Sequence, residues 1–82
     1  DAPDDLVNSI LWRTPRPVRD AAERELRAAS ERIADDEGKG RVGVETVIAA
    51  WIQTTPEPLR SALPQQMESM GLDPAEYSHL LG

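Results

Sequence analysis

The strongest constraint on the fold is a long segment of helical periodicity near the middle of the chain. Apolar and small residues recur there every three or four positions, at Val18, Ala22, Leu26, Ala29 and Ile33. Charged side chains occupy the other faces, which is the pattern of an amphipathic helix. No segment alternates apolar and polar residues in the manner of a strand. The sequence therefore predicts an all-α fold.

The same helix carries features that predict how it packs. Ala21, Ala28 and Ala34 flank the apolar stripe, and such small side chains let a second helix approach closely. Two pairs have the favourable i,i+4 orientation, each contributing about 0.2–0.5 kcal/mol on a solvated face: Asp20 with Arg24, and Glu23 with Arg27.

Shorter helices are predicted on both sides of the long one. The first buries four apolar side chains: Leu6, Val7, Ile10 and Leu11. It ends near Arg13, and the acidic residues 1–5 supply its cap or form a flexible start. Gly38 and Gly40 form the turn after the long helix. The next helix runs to about Gln53 and is marked by Val44, Val47, Ile48 and Trp51. We expect the long helix to pack on it.

A six-residue sequence occurs twice, as TPRPVR at 14–19 and TPEPLR at 55–60. Each copy predicts a threonine cap followed by prolines in the first turn of a helix, where a missing backbone donor costs nothing. The segments after the two copies differ, and repeat architectures usually need three units or more. We interpret the repetition as shared capping chemistry.

The C-terminal part of the chain is predicted to be helical as well. Pro64 breaks the helix that starts at the second copy, and Gly71 ends it. Its apolar positions are Leu59, Leu63, Met67 and Met70. Asp73 and Glu76 predict a capping box for a last helix, whose buried edge is formed by Tyr77, Leu80 and Leu81. The prediction is a bundle of four to five helices.

The glycine-rich segment raises the question of a phosphate-binding loop. A Walker loop needs Gly-Lys-Ser/Thr after a strand, whereas Arg41 follows Gly40 here and a helix precedes it. The G-x-G-x-x-G spacing lacks a surrounding βαβ unit. An EF-hand register ending on Gly40 would place Lys39 and Thr46 at ligand positions, and neither suits calcium. The segment is therefore predicted to be a turn.

Residues that perform catalysis or bind metals are scarce. The chain has no cysteine, and His79 is its only histidine. His79 lies outside any triad spacing and is predicted to be a surface residue, while Met67 and Met70 are predicted to fill the core. An enzyme needs a cleft of convergent titratable groups. We therefore predict no catalytic, metal or cofactor-binding residues, and a small enzyme is the least favoured alternative.

Charge and hydropathy limit the possible partners. Fifteen acidic and nine basic residues give a net charge of -6, which disfavours nucleic acid as the main ligand. No apolar run approaches the roughly 18 residues of a membrane span, and no signal peptide is visible. Residue 1 is Asp, which leaves upstream processing open. We expect a cytoplasmic protein whose small core gains stability from a partner.

A helix-turn-helix regulator is the alternative function. Five residues match the apolar, small and turn positions of that motif: Ile33, Ala34, Gly38, Val44 and Val47. Lys39 occupies a position that is usually apolar, and the first helix is too long. The arginines at 13, 16 and 19 supply a patch for the DNA backbone in this alternative.

The two tryptophans are the candidate anchors for a protein partner. Tryptophan is enriched where partners attach, although burial in the core is the favoured interpretation for both Trp12 and Trp51. If the chain docks, we expect Trp12 and Trp51 to be the anchors, with Arg16 and Arg19 beside them. The prolines of TPRPVR would then fix how this part of the surface is presented.

Part of the chain resembles a known family. The residues that carry the resemblance are Pro15, Val18, Arg19, Gly38, Val42, Glu45 and Ala50. They are similar to the P-x-x-V-R, G and I-T-x-E-V-x-x-A landmarks of the PCP-reductase-like domain, which ends the B subunit of light-independent protochlorophyllide reductase. Residues 11–51 are covered. The spacer from residue 19 to residue 38 is about one turn longer, Gly43 replaces the capping Thr, and Pro17 replaces an aromatic residue.

This resemblance implies a two-helix module that packs on a redox enzyme and performs no catalysis itself. We accordingly assign residues 1–82 to a single helical domain, with the PCP-reductase-like core at 11–53 and a helical extension at 54–82. The predicted function is a non-catalytic accessory or interaction subunit. It is expected to dock on a larger enzyme complex, including a redox complex, or to associate with copies of itself.

Overall fold

The computed structural model describes residues 1–81, which form five α-helices and two short 3₁₀-helices and contain no strand. The α-helices are α1 (Ala2–Trp12), α2 (Arg16–Asp36), α3 (Val44–Thr54), α4 (Leu63–Ser69) and α5 (Ser78–Leu81). The 3₁₀-helices are Glu57–Ala62 and Pro74–Tyr77. The prediction of a small all-α bundle is confirmed.

Helix α1 begins directly in the acidic N-terminal segment. The carboxylate of Asp1 accepts a hydrogen bond from the backbone N–H of Asp4 at 3.0 Å, and Pro3 lies in the first turn. Proline is suited to that position because its missing N–H has no partner in a helix start. Residues 2–5 therefore belong to the helix, and its four predicted apolar positions are buried.

Helices α2 and α3 form the centre of the bundle. Leu26 and Ala29 from α2 share one buried cluster with Val47, Ile48 and Trp51 from α3. Ala29 is almost fully buried, and its short side chain lets the two helix backbones approach closely. The prediction that the long helix packs on the next one along the chain is confirmed.

The buried face of α2 differs from the predicted stripe. Val18 is 52% exposed, and Ala21 and Ala28 are also exposed. Ala34 is buried as expected, and Ser30, which was not part of the predicted stripe, is buried too. The Ser30 hydroxyl donates to the backbone carbonyl one turn earlier at 2.8 Å. The flanking alanines were therefore assigned wrongly in two of three cases, because the covering helices decide which face is buried.

Gly38 ends the long helix, as the sequence predicts. Its φ of +71° lies in the left-handed region that glycine adopts without strain. The backbone N–H of Lys39 donates to the carbonyl of Ala34 at 2.8 Å, which closes the terminus. The glycine-rich segment is therefore a helix terminator followed by an irregular connection to α3.

An ion-pair cluster joins α1 to α2. Arg27 pairs with Asp4 at 3.0 Å and with Glu23, one turn earlier on α2, also at 3.0 Å. Hydrogen bonding to Asp4, and then to Glu23, raises the pKa of Arg27 above its ordinary value. Asp20 and Arg24, the other predicted pair, form no ion pair in the described part of the chain. The charged face of α2 therefore contributes one link to α1.

The segment after α3 contributes side chains to the same buried core. Pro64 lies in the first turn of α4, directly after the first 3₁₀-helix, so the helix predicted from the second copy is broken near Pro64 as expected. Leu63 and Met67 are almost completely buried. Gly71 has a φ of +83° and ends α4. The N–H of Leu72 donates to the carbonyl of Met67 at 2.8 Å. The extension is therefore packed on the core.

The last predicted helix starts as a 3₁₀ turn. Asp73 is the N-cap and accepts a hydrogen bond from the N–H of Ala75 at 3.0 Å. Within residues 1–81 the Glu76 side chain makes no bond to Asp73, so the predicted capping box is not formed. Tyr77, Leu80 and Leu81 pack against the core but are only partly buried, so the predicted edge is less covered than expected. Within residues 1–81 no helix combines the length and the apolar character that a membrane crossing requires.

Candidate functional site

The repeated six-residue sequence forms the same kind of backbone corner twice. We call residues 14–19 the first corner and residues 55–60 the second corner. The Thr14 hydroxyl donates to the backbone carbonyl four residues earlier at 3.1 Å, and the Thr55 hydroxyl does the same at 2.6 Å. Both threonines therefore bond to the helix that they follow. The prediction that they cap the next helix is wrong.

The prolines and arginines of the corners set the direction of the next helix. Pro15 and Pro56 occupy the N-cap positions with nearly equal backbone angles, φ -56° and ψ 138° against φ -55° and ψ 142°. Arg19 donates from Nε and Nη2 to the carbonyl oxygen of its corner threonine at 3.3 and 3.0 Å. Arg60 donates from Nε to the equivalent oxygen at 3.0 Å. The two corners therefore share one hydrogen-bond pattern.

Both corners line a single groove of about 350 Å³, which we call the corner groove. Pro15 and Val18 border it from the first corner, and Pro56 and Leu59 border it from the second. Val18 and Leu59 hold the same position in the repeated sequence and are 52% and 60% exposed. The repetition therefore places two exposed apolar side chains on one concave surface.

Trp12 lies next to this groove and is 77% exposed. The guanidinium carbon of Arg19 is 5.7 Å from the centre of the Trp12 ring, which is within the range of a cation–π contact. Leu11 lines the corner groove and also the shallow hollow formed with Asn8, Trp12 and Arg19. The indole therefore extends the apolar surface beyond the first corner.

The four predicted anchor residues have different environments. Trp12 and Arg19 are brought into contact, and Arg16 is exposed at the first residue of α2. Trp51 is only 7% exposed and belongs to the buried cluster, although it also lines the corner groove. Trp12 is therefore the accessible indole, and Trp51 belongs mainly to the core.

The surface around the first corner is basic, although the whole chain carries a net charge of -6. Residues 6–19 include three arginines and no Asp or Glu. Arg13 donates to the backbone of Ser9 and to both the backbone and the hydroxyl of Ser69. In the part of the chain that the structure describes, Arg13, Arg16 and Arg19 form no ion pair with a carboxylate. A local positive surface results.

Sequence reasoning missed the groove residues Val18 and Leu59, which were assigned to apolar stripes. The sequence signal that could have identified them is that they occupy equivalent positions in the repeated hexapeptide. The helical register could also have shown which tryptophan is buried and which is exposed. Trp51 continues the stripe of Val47 and Ile48, whereas Trp12 falls one step beyond the α1 stripe.

The ion pairs among the described titratable residues are formed by side chains that lie at the surface. Among residues 1–81 no group of three His, Cys, Asp or Glu side chains is placed to hold a metal ion. His79 Nε2 lies 3.1 Å from Glu45 Oε1, and both side chains are 59% exposed. This contact links the last helix to α3. What the described surface offers chemically is an apolar groove with arginines beside it.

Comparison with family models, curated proteins and solved structures finds no match to this chain. The resemblance of residues 11–51 to the PCP-reductase-like domain therefore stays a prediction.

Proposed function

We propose that this chain is a non-catalytic interaction subunit that docks on a larger protein through the corner groove and Trp12. One observation carries the proposal. The large hydrophobic side chains that residues 1–81 expose are Trp12, Val18 and Leu59. Val18 and Leu59 line the corner groove, and Trp12 lines the hollow that shares Leu11 with it. Scattered exposed apolar residues need no explanation, but a cluster of them marks an interaction site.

The construction of the corners supports a docking role. Each corner is stiffened by prolines and by an arginine that bonds to the chain at the preceding helix end. Residues that are already ordered lose less conformational entropy when a partner covers them. A buried indole often contributes about 2 kcal/mol or more at an interface. Trp12 is the side chain with the most surface left to bury.

The proposed host is a larger enzyme complex in the cytoplasm. A redox enzyme is the case to which the PCP-reductase-like resemblance points. In this proposal the chain contributes an apolar docking surface and no reacting group. Its own core, closed by α3 and α4, holds the two corners at a fixed separation.

The test is recovery of the complex from the cells that make the protein, followed by reconstitution with the purified partner. The wild-type chain is compared with Trp12→Ala and Leu59→Ser, and with Arg32→Ala as a matched control on the exposed side of α2. We expect a stoichiometric complex with the wild type and the control. The two groove variants should bind at least about tenfold more weakly, which corresponds to about 1.4 kcal/mol.

Equal binding by all four proteins would contradict the proposal, provided that circular dichroism shows each variant folded. Two other outcomes would replace it. A concentration-dependent rise in mass that Trp12→Ala abolishes would identify a second copy of the chain as the partner. A salt-sensitive shift of duplex DNA at submicromolar protein would favour the helix-turn-helix regulator.

A further inference from the structure

We infer that the partner presents an acidic peptide segment to the corner groove. Its apolar side chains would contact Val18 and Leu59, and its carboxylates would pair with the arginines of the first corner. This inference rests on the proposed function and names the chemistry of the partner. Charge complementarity is the observation that supports it.

The arginines beside the groove have guanidinium N–H donors that no hydrogen bond within the described chain uses. Arg19 uses Nε and Nη2 on one carbonyl oxygen, and Arg13 uses Nη1 and Nη2 on the backbone and on a hydroxyl. A guanidinium carries five N–H donors, so both side chains keep some for a carboxylate. The Arg16 side chain, next in the sequence to the groove residue Pro15, makes no hydrogen bond or ion pair within residues 1–81. Arginine with carboxylate is among the strongest hydrogen-bonded pairs on protein surfaces.

The excess of acidic residues in the rest of the chain repels an acidic segment from other parts of the surface. The chain has six more acidic than basic residues, yet residues 6–19 contain none of the acids. At physiological ionic strength, charges more than about 8 Å apart are largely screened. The local arginines therefore dominate at contact, while the surrounding acids oppose binding at other places. Glu25 also lines the groove, and so does Arg13, so the segment's carboxylates are expected beside Arg13 and away from Glu25.

The concave shape favours a peptide over the other anionic partners. Val18 and Leu59 line opposite corners of one groove, where side chains of a peptide can enter. A duplex would bring a continuous row of phosphates against a chain of net charge -6, and a flat lipid surface would not fill the groove. Both remain measurable outcomes of the experiment.

The experiment is a selection from a random dodecapeptide display library on the full-length wild-type protein, with counter-selection on Arg16→Glu. We expect the selected peptides to be enriched in Asp and Glu together with large apolar residues. The best peptide is then synthesised and titrated. Its dissociation constant should be about fivefold higher for Arg16→Glu, which loses one exposed ion pair and gains a repulsion. Arg32→Glu carries the same charge change away from the groove and should leave binding unchanged.

Acrylamide quenching of tryptophan fluorescence reports where the peptide binds. Trp12 is exposed and Trp51 is buried, so the quenchable emission comes mainly from Trp12. A bound peptide should reduce quenching in the wild type and have no such effect in Trp12→Phe. Raising the salt concentration should weaken binding.

Four results would overturn the inference: enrichment of Lys or Arg, no charge bias, no selected peptide, or equal weakening by Arg16→Glu and Arg32→Glu. Stronger shielding of Trp12 by phosphatidylserine vesicles than by the best peptide would replace it with a lipid surface. Neutral or basic peptides that still shield Trp12 would overturn the acidic partner and leave the proposed function standing. If Trp12→Ala and Leu59→Ser recover the complex as well as the wild type does in the experiment above, both the acidic-peptide inference and the proposed function are contradicted.

Discussion

Replacing Trp51 with Ala is expected to unfold much of the protein, whereas replacing Trp12 with Ala is expected to destabilise it much less. Trp51 is 7% exposed within the buried cluster, while Trp12 is 77% exposed. Truncation of a buried Trp to Ala costs about 3–5 kcal/mol, because transfer energy is lost and a cavity remains. The whole domain should be stable by about 4–12 kcal/mol at its size of 82 residues.

The cost of Trp12→Ala follows from the part of the side chain that the fold covers. About a quarter of its surface is buried, or about 50 Å², and at about 25 cal/mol per Å² this is worth about 1 kcal/mol. The contact with Arg19 adds about 0.5 kcal/mol at an exposed site. Trp12→Ala should therefore cost about 1.5 kcal/mol, and the two variants should differ by about 1.5–3.5 kcal/mol.

The assay is urea unfolding followed by far-ultraviolet circular dichroism, in the absence of any partner. Trp51→Phe and Trp12→Phe serve as controls, because each keeps an aromatic ring in place. Trp51→Ala should be largely unfolded or show a strongly lowered midpoint, and Trp12→Ala should stay folded with a smaller decrease of the midpoint. Equal loss of stability in the two Ala variants would refute the assignment of one indole to the core and the other to the surface.

Two further predictions concern the corners and the helix ends. Arg19→Ala and Arg60→Ala should each cost about 0.5–1.5 kcal/mol in urea unfolding, because each removes hydrogen bonds to a corner carbonyl. A cost in only one of them would contradict the equivalence of the corners. Gly38→Ala and Gly71→Ala should each cost about 1 kcal/mol, because Ala is strained at positive φ. Gly40→Ala, where an added Cβ meets nothing within 4 Å, should be neutral and is their control.

The helices could be predicted because their signals are local. The spacing of Leu26 and Ala29, or of Val47 and Ile48, depends only on the 3.6-residue period and on the solubility of the other faces. The ends of the stripes could not be predicted in the same way. Whether Val18 is buried depends on which elements cover the start of α2, and this is a tertiary property.

The corners show why capping residues are harder to assign. Thr14 and Thr55 precede prolines and have the side chain of a good N-cap, yet each also follows a helix directly. A threonine hydroxyl can bond to the carbonyl four residues earlier as well as to the next helix. Here each hydroxyl donates to a carbonyl of the preceding helix, and the proline occupies the N-cap position of the following helix. Sequence alone does not decide between two helices that compete for one side chain.

The candidate site was predictable in part. Arg16 and Arg19 were expected beside Trp12 and Trp51, and the structure places the Arg19 guanidinium over the Trp12 ring, whereas Trp51 is buried in the core. Val18 and Leu59 were not expected there, because the groove exists only when the two corners, far apart in sequence, come together across α3. Their pairing depends on long-range packing that local patterns do not contain.

The most direct measurement is amide NMR of the isotope-labelled chain, titrated with the purified partner. The indole N–H signal of Trp12 and the amides of residues 14–19 and 55–60 should shift together and saturate at one equivalent. The indole signal of Trp51 and the amides around Asp35 should change much less. Shifts concentrated in residues 35–41 or in the last helix, with the Trp12 signal unchanged, would contradict docking through the corner groove.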